Sequence, residues 1–204
     1  MTRGFLPLLG LMIAAGLAVL GWETDGFRVA TTEGARRLAV EHHPPAVPDV
    51  VLVDQDGVRF SPYGYRGRVL LVDFIYTDCA SICGVLGNDF ARVQDLLQRA
   101  GGSAADVDLL SISFDPAHDT PPALRAYGAR FGAAVPRWRI AVPASAAGLR
   151  ALLQAFGVVV IPDAFGGFTH NDALYVVDRR GRLVRILDRS EPASLVAQAV
   201  QWVP

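Results

Sequence analysis

Two cysteines are the residues of this chain best suited to chemistry. Cys79 and Cys83 are the only cysteines among 204 residues, and they lie four positions apart. On a helix, side chains at this spacing share one face, and in a turn before a helix the helix dipole favours the thiolate. The two sulfur atoms can converge on one metal ion or bond to each other. Two cysteines are too few for a disulfide framework, so the available chemistry is one bridge or one metal site.

A buried strand and a helix are predicted to hold this pair. Residues 69–76 form a continuous apolar run rich in β-branched and aromatic types, which predicts a strand covered on both faces. After a polar turn at 77–78, apolar residues recur at helical spacing as far as residue 100. Asp73 lies inside the apolar strand, six residues before Cys79, where an acid is costly unless it is partnered or neutral. Two interpretations of Asp73 stay open: a functional role, and an ion pair with an arginine.

The other predicted elements alternate between strands and helices. They are a hairpin over 50–60, strands over 108–114 and 138–142, helices over 121–131 and up to 156, a hairpin over 173–187 and a terminal helix over 191–202. Such alternation favours parallel strands with helices on both faces, extended by an antiparallel hairpin. The sequence therefore predicts an α/β protein with a thioredoxin-like fold, a central mixed sheet flanked by helices.

Two connecting segments have mainly structural interpretations. Asp115 and Asp119, with Thr120, predict a turn and the cap of the helix that follows. The glycine-containing segment 157–167 predicts a mobile loop, with a short strand over 158–161 as the alternative.

The N-terminus predicts an export or anchoring segment. Residues 4–22 carry no charge and lie between Arg3 and Glu23, a pattern that favours a retained transmembrane helix with the rest of the chain outside the cytoplasm. A cleaved secretory signal is the alternative. The predicted organisation is an anchor or signal over 1–22, a linker over 23–46 with a short helical piece, and one domain over 47–204.

Composition narrows the classes of function. The net charge is −1, so no basic field favours nucleic acid as a partner. The two methionines, Met1 and Met12, lie outside the predicted domain, which excludes a thioether ligand there.

Three segments together suggest a family. They are 74–83 (FIYTDCASIC), 112–120 (ISFDPAHDT) and 169–178 (THNDALYVVD), in this order. Over residues 47–187 the chain resembles the Sco/SenC family of membrane-anchored, thioredoxin-fold copper proteins. Ala80 and Gly84 stand where proline often follows each cysteine in that family, a difference that bears on affinity.

The resemblance implies a metal site and a role. Cys79, Cys83 and His170 would bind one copper ion per chain, and this soft ligand set suits Cu(I) and also Cu(II) with a further weak ligand. The protein would help to assemble the dinuclear copper centre of cytochrome c oxidase, with that centre's subunit and other copper chaperones as partners. The alternative for His170 is a surface histidine at the start of a strand, and His118 is interpreted as solvated or capping.

A thiol-disulfide reductase outside the cytoplasm is the alternative function. The segment Leu71-Val-Asp73-Phe, with a cysteine six residues after the aspartate, is similar to thioredoxin, where the aspartate helps to move protons. In this interpretation Cys79 and Cys83 are the redox pair and Asp73 is the relay. The three-residue spacer between the cysteines, and His170 where thioredoxins carry a cis-proline, favour metal over a general oxidoreductase. A peroxiredoxin-like activity ranks last.

Overall fold

The structure is a computed structural model that describes residues 5–23, 31–78, 82–164, 167–171 and 173–203. The chain divides into two units, residues 1–43 and 44–204. The first unit contains helices α1 (Phe5–Glu23) and α2 (Thr32–His42). Thr31 caps α2, because its side chain accepts a hydrogen bond from the backbone N–H of Gly34. A short helix was predicted within the linker, and α2 confirms it.

The first helix occupies the segment predicted to be a membrane anchor. Among the described residues, no helix combines the length and the apolar content that crossing a membrane requires. The structure thus does not support the predicted transmembrane helix, although α1 forms where a helix was expected.

A seven-stranded mixed sheet is the centre of the second unit. The strands of the chain are β1 (Leu52–Asp54), β2 (Arg59–Phe60), β3 (Val69–Ile75), β4 (Val107–Ser113), β5 (Trp138–Pro143), β6 (Val160–Pro162), β7 (Phe168–His170), β8 (Leu174–Val177) and β9 (Leu183–Leu187). Their order in the main sheet is β2-β1-β5-β4-β3-β8-β9. The helices are α3 (Ile82–Ala100), α4 (Pro121–Phe131), α5 (Ala146–Phe156) and α6 (Pro192–Val200), with two short 3-10 helices at Pro62–Tyr65 and Gly102–Asp106.

Strand β3 is the buried centre that the apolar run predicted. All seven of its residues are buried. It pairs in parallel with β4, from Val69 opposite Val107 to Ile75 opposite Ser113, and antiparallel with β8. Because β3 and β4 are parallel and in register, both end at the same edge of the sheet.

Local signals account for the helix boundaries. Helix α4 begins with proline after Thr120, as predicted. Helix α5 begins after Ser145, whose hydroxyl accepts a hydrogen bond from the Gly148 N–H at 3.0 Å. It ends at Gly157, whose φ of 64° is a left-handed conformation that glycine adopts without strain.

The segment predicted as a loop contains part of a hairpin. Strands β6 and β7 form a separate antiparallel pair in which Val160 lies opposite His170. The short strand named as the alternative is thus confirmed, shifted slightly along the chain. Asp163 and Gly167 exchange hydrogen bonds across the connection. A Cβ at Gly167 would lie 2.8 Å from the Asp163 Oδ2 atom and 3.3 Å from the Tyr76 hydroxyl, so a larger residue does not fit without movement.

Candidate metal centre

The three predicted ligands are described to different extents. Cys79 lies outside the described residues. Cys83 is the second residue of α3, but its side chain is outside the description. His170 ends β7 and is half-buried. Within the described part of the chain, no group of three or more metal-ligating side chains is present. The complete ligand set remains a prediction.

The edge where β3 and β4 end carries two aromatic residues side by side. The Phe114 N–H donates to the carbonyl of Ile75 at 3.0 Å, which extends the strand pairing by one step. Tyr76 and Phe114 follow directly, with ring centroids 5.4 Å apart. The turn at residues 77–78 follows Tyr76 directly, and because it precedes Cys79 in the chain we call it the Cys79 turn.

Aromatic packing holds the β6–β7 hairpin at this edge. The Phe168 ring lies 5.2 Å from Tyr76 and 5.5 Å from Phe114, both in edge-to-face arrangements. We call Tyr76, Phe114 and Phe168 the aromatic cluster. The His170 ring lies 5.0 Å from Phe114 at an interplanar angle of 62°. The imidazole therefore contacts the same sheet edge from which the Cys79 turn departs.

The ring of His170 is oriented by its own loop. Its Nδ1 atom makes a long hydrogen bond, 3.4 Å, to the Asn171 carbonyl, and its Nε2 atom is buried. When Nδ1 carries the proton, the lone pair is on Nε2, which is then the nitrogen able to bind a metal. The Asn171 side chain donates to the Gly157 carbonyl at 3.0 Å and accepts from the Val159 N–H at 2.7 Å. These bonds join the two ends of the hairpin.

Asp73 is fully buried in the middle of β3. Neither carboxylate oxygen has a hydrogen-bond partner among the described residues. Burial raises the pKa of Asp73 to about 7, and the Ser111 hydroxyl on the neighbouring strand offsets only part of that effect. Among the described residues no arginine contributes to this pKa, so the ion-pair interpretation is wrong. A carboxyl group with this pKa can take up and release a proton near neutral pH.

Asp119 has a role that the sequence did not predict. Its side chain is 1% exposed, and its two oxygens accept the Thr77 N–H at 3.2 and 3.1 Å. The hydroxyls of Thr77 and Ser113 donate to it as well. Thr120 is the N-terminal cap residue of α4, and its side chain makes no cap hydrogen bond. Asp119 instead binds residues at the ends of β3 and β4. The sequence offered only a carboxylate just before a helix, which favours a cap.

His118 is solvated, as predicted. Its side chain is 77% exposed, and its Nδ1 atom lies 2.8 Å from the Asp115 carboxylate. The hydrogen bond to Asp115 raises the pKa of His118.

The aromatic cluster was not recognised as a unit from the sequence, because its members come from three distant segments.

A family model of SCO1/SenC matches residues 40–203. The chain belongs to the SCO1/SenC family. It is similar to the SCO1 protein homolog of Bacillus subtilis strain 168, with 28% identity over 134 residues, which are 65% of this chain and 68% of that protein. This confirms the resemblance drawn from the three sequence segments.

Solved structures of Sco proteins share the fold. ScoI of Bradyrhizobium japonicum, solved with copper bound, aligns with a TM-score of 0.64 and 23% identity, over 77% of this chain and 99% of that one. BsSco, a member of the Sco family of cytochrome c oxidase assembly proteins in which a disulfide switch has been identified, aligns with a TM-score of 0.67 and 22% identity, over 79% and 95%. These likenesses confirm the predicted α/β fold with a central mixed sheet flanked by helices.

Proposed function

We propose that this SCO1/SenC protein binds one copper ion through Cys79, Cys83 and His170 and delivers it during assembly of the dinuclear copper centre of cytochrome c oxidase. The observation that carries the proposal is the contact of His170 with Phe114, at the sheet edge where the Cys79 turn begins. Cys83 follows within the first turn of α3. Residues distant in sequence thus belong to elements that meet at one edge.

The chemistry of the donors supports copper as the cargo. Two thiolates and one imidazole are soft ligands that suit Cu(I), whereas a structural zinc site usually takes a fourth protein ligand. The copper-bound ScoI structure and the oxidase-assembly family of BsSco support the same assignment for this chain. The copper-centre subunit of the oxidase and other copper chaperones are the proposed partners.

The proposal includes a location outside the cytoplasm. The uncharged segment 4–22 follows Arg3 and precedes Glu23 and Asp25, a pattern that is also typical of a secretory signal. Copper delivery to an oxidase subunit and reversible thiol oxidation both suit an extracytoplasmic compartment.

Copper titration of the reduced full-length chain tests the proposal. Competition with a Cu(I) chelator is expected to give one copper per chain, and Cys79→Ser, Cys83→Ser and His170→Ala are each expected to abolish tight binding. His118→Ala is the matched control, because His118 is a histidine at the same sheet edge that the proposal leaves out. Tight one-to-one binding that survives in the double-serine variant would contradict the ligand set.

A thiol-disulfide reductase is the second candidate, and the burial of Asp73 favours it. In this reaction Cys79 and Cys83 lose two protons and two electrons and form a disulfide, while the disulfide of a partner protein gains both and becomes two thiols. Asp73, with a pKa of about 7, is proposed to relay a proton for this exchange.

Asp73→Asn separates the two candidates. The reductase interpretation predicts slower exchange of the variant with oxidised glutathione at neutral pH, while copper stoichiometry stays at one. An exchange rate equal to that of the unmodified protein from pH 5 to pH 9 would exclude a relay role for Asp73.

A further inference from the structure

Asp119 is a buried carboxylate whose hydrogen bonds tie together the exits of two neighbouring strands. Three donor groups reach it, the N–H and the hydroxyl of Thr77 and the hydroxyl of Ser113, and neither residue belongs to the helix that Asp119 precedes. Breaking one of these hydrogen bonds would leave a buried polar group unsatisfied, which is costly. Such a buried group restrains its partners more than a surface contact would.

We propose that Asp119 is a positioning residue for the metal centre, which holds Thr77 and thereby sets the direction in which the Cys79 turn leaves β3. This inference rests on the proposed function, because it concerns the same sulfur pair. Thr77 lies two residues before Cys79, so a rotation of the Thr77 backbone is transmitted to the cysteine with little chain between them to absorb it.

The strand geometry explains why a side chain is needed here. The backbone pairing of β3 with β4 ends when the Phe114 N–H donates to Ile75. Beyond that point the Thr77 N–H has left the strand ladder, and Asp119 supplies its acceptor. A buried N–H without an acceptor is costly, so the carboxylate stabilises this one path of the chain.

The second strand exit is fixed by the same group. The Ser113 hydroxyl donates to Asp119 and accepts the Asp115 N–H at 3.0 Å. The exit of β4 also places Phe114, on which the His170 ring packs. Asp119 therefore links the segment that carries the first cysteine to the segment that supports the histidine. Groups hydrogen-bonded directly to metal ligands typically contribute 10- to 100-fold to metal affinity, and Asp119 acts on the backbone two residues before the first proposed ligand.

Asp54 offers a matched control at the other end of the sheet. It is also 1% exposed, and its Oδ1 atom accepts the N–H groups of Asp56 and Val58 at 2.9 Å each, in the turn between β1 and β2. Strand β1 runs antiparallel to β5, which places that turn at the edge opposite Thr77. Asp54→Ala removes a buried turn-anchoring carboxylate of the same kind without touching the candidate site.

The test compares Asp119→Ala, Asp119→Asn and Asp54→Ala in the full chain by two measurements. The first is Cu(I) affinity by chelator competition. The second needs no copper: it is the equilibrium in which the two cysteines pass two protons and two electrons to glutathione disulfide, giving the Cys79–Cys83 disulfide and two glutathione molecules.

Asp119→Ala is expected to weaken copper binding by about 10- to 100-fold. It is also expected to shift the glutathione equilibrium towards the dithiol, because a less restrained turn lowers the effective concentration of one sulfur near the other. Asp119→Asn keeps an oxygen for Thr77 and should recover most of both properties. Asp54→Ala should lower the unfolding free energy and leave both properties unchanged.

Equal effects of Asp119→Ala and Asp54→Ala on both measurements would overturn the inference. If Asp119→Ala does not fold, Thr77→Val, which deletes only the hydroxyl contact, is expected to shift both measurements in the same direction, and no shift would overturn it. If the unmodified chain binds no copper, the proposed function fails. The glutathione equilibrium then decides the positioning role by itself.

Discussion

Two aspartates near the candidate site are equally buried but have different partners. Asp73 and Asp119 are 0% and 1% exposed. Asp119 accepts hydrogen bonds from Thr77 and Ser113, so its buried oxygens have donors. Asp73 has an apolar environment and one nearby hydroxyl, on Ser111. Its pKa is therefore raised to about 7, and it keeps its proton up to about that pH. Residue type and burial are the same for both acids. The hydrogen-bond donors around each carboxyl group therefore decide its role.

The unusual pKa of Asp73 predicts a pH-dependent stability cost. The folded pKa is raised from 3.8 to about 7, so over that interval the unfolded chain releases this proton while the folded chain keeps it. The stability that Asp73 contributes as a neutral group is complete below pH 3.8 and is lost as the pH rises to about 7, by roughly 4 kcal/mol in total. Asp73→Asn is expected to remove this dependence.

Urea denaturation at pH 4.5 and pH 8 measures the effect. The unfolding free energy of Asp73→Asn minus that of the unmodified protein should be several kcal/mol higher at pH 8 than at pH 4.5, which means that the variant is relatively more stable at pH 8. The same relative stability at both pH values would show that Asp73 ionises normally.

The β6–β7 hairpin is the element that positions His170, the proposed histidine ligand. It lies outside the main sheet, and its contacts with the sheet edge include the rings of Phe168 and His170. Asn171 ties its two ends together. Since side-chain packing substitutes for strand pairing here, loss of one ring is expected to loosen the hairpin.

Phe168→Ala tests the dependence of the metal site on this packing. The expected results are a loss of roughly 1–3 kcal/mol in unfolding free energy, faster amide exchange in β6 and β7, and weaker copper binding. Phe60→Ala is the control, since Phe60 makes a similar edge-to-face contact with Tyr65, at 6.1 Å, in another part of the sheet. A change in copper affinity as large for Phe60→Ala would mean that general destabilisation is responsible.

At the scale of the whole molecule, the proposed ligands come from segments that lie far apart in the sequence. The cysteines follow β3, whereas His170 is close to the last strands. The strands next to these segments, β3, β4 and β8, are buried in the folded core. A metal bound by all three residues therefore stabilises the native state over the unfolded chain.

Copper is expected to raise the unfolding temperature of the reduced chain. At free copper 100 times the dissociation constant, the gain in unfolding free energy is about 2.7 kcal/mol if the unfolded chain does not bind. The two cysteines are neighbours in sequence, so the unfolded chain keeps a two-sulfur site and the observed gain will be smaller. His170→Ala should reduce the gain further, because it removes the ligand that only folding supplies. Thermal denaturation with and without copper measures this, and an equal gain in Cys79→Ser/Cys83→Ser would exclude the site.

The sequence predicted most of the elements because their signals are local. The apolar run of β3, the proline after Thr120 and the serine before α5 each act within a few residues, and these elements form at or within a residue or two of the predicted positions. The N-terminal segment forms a helix where one was expected, and no helix among the described residues is long and apolar enough to cross a membrane.

The amino-acid sequence by itself determined the family and the α/β class, and it predicted the residues that would bind copper or exchange electrons. Only the tertiary structure decided that Asp119 binds Thr77, that Asp73 is buried without an arginine, and that His170 packs on Phe114. The reason is physical: patterns along the chain specify strands and helices, whereas the partners of a buried polar group come from segments that only strand pairing and packing bring together.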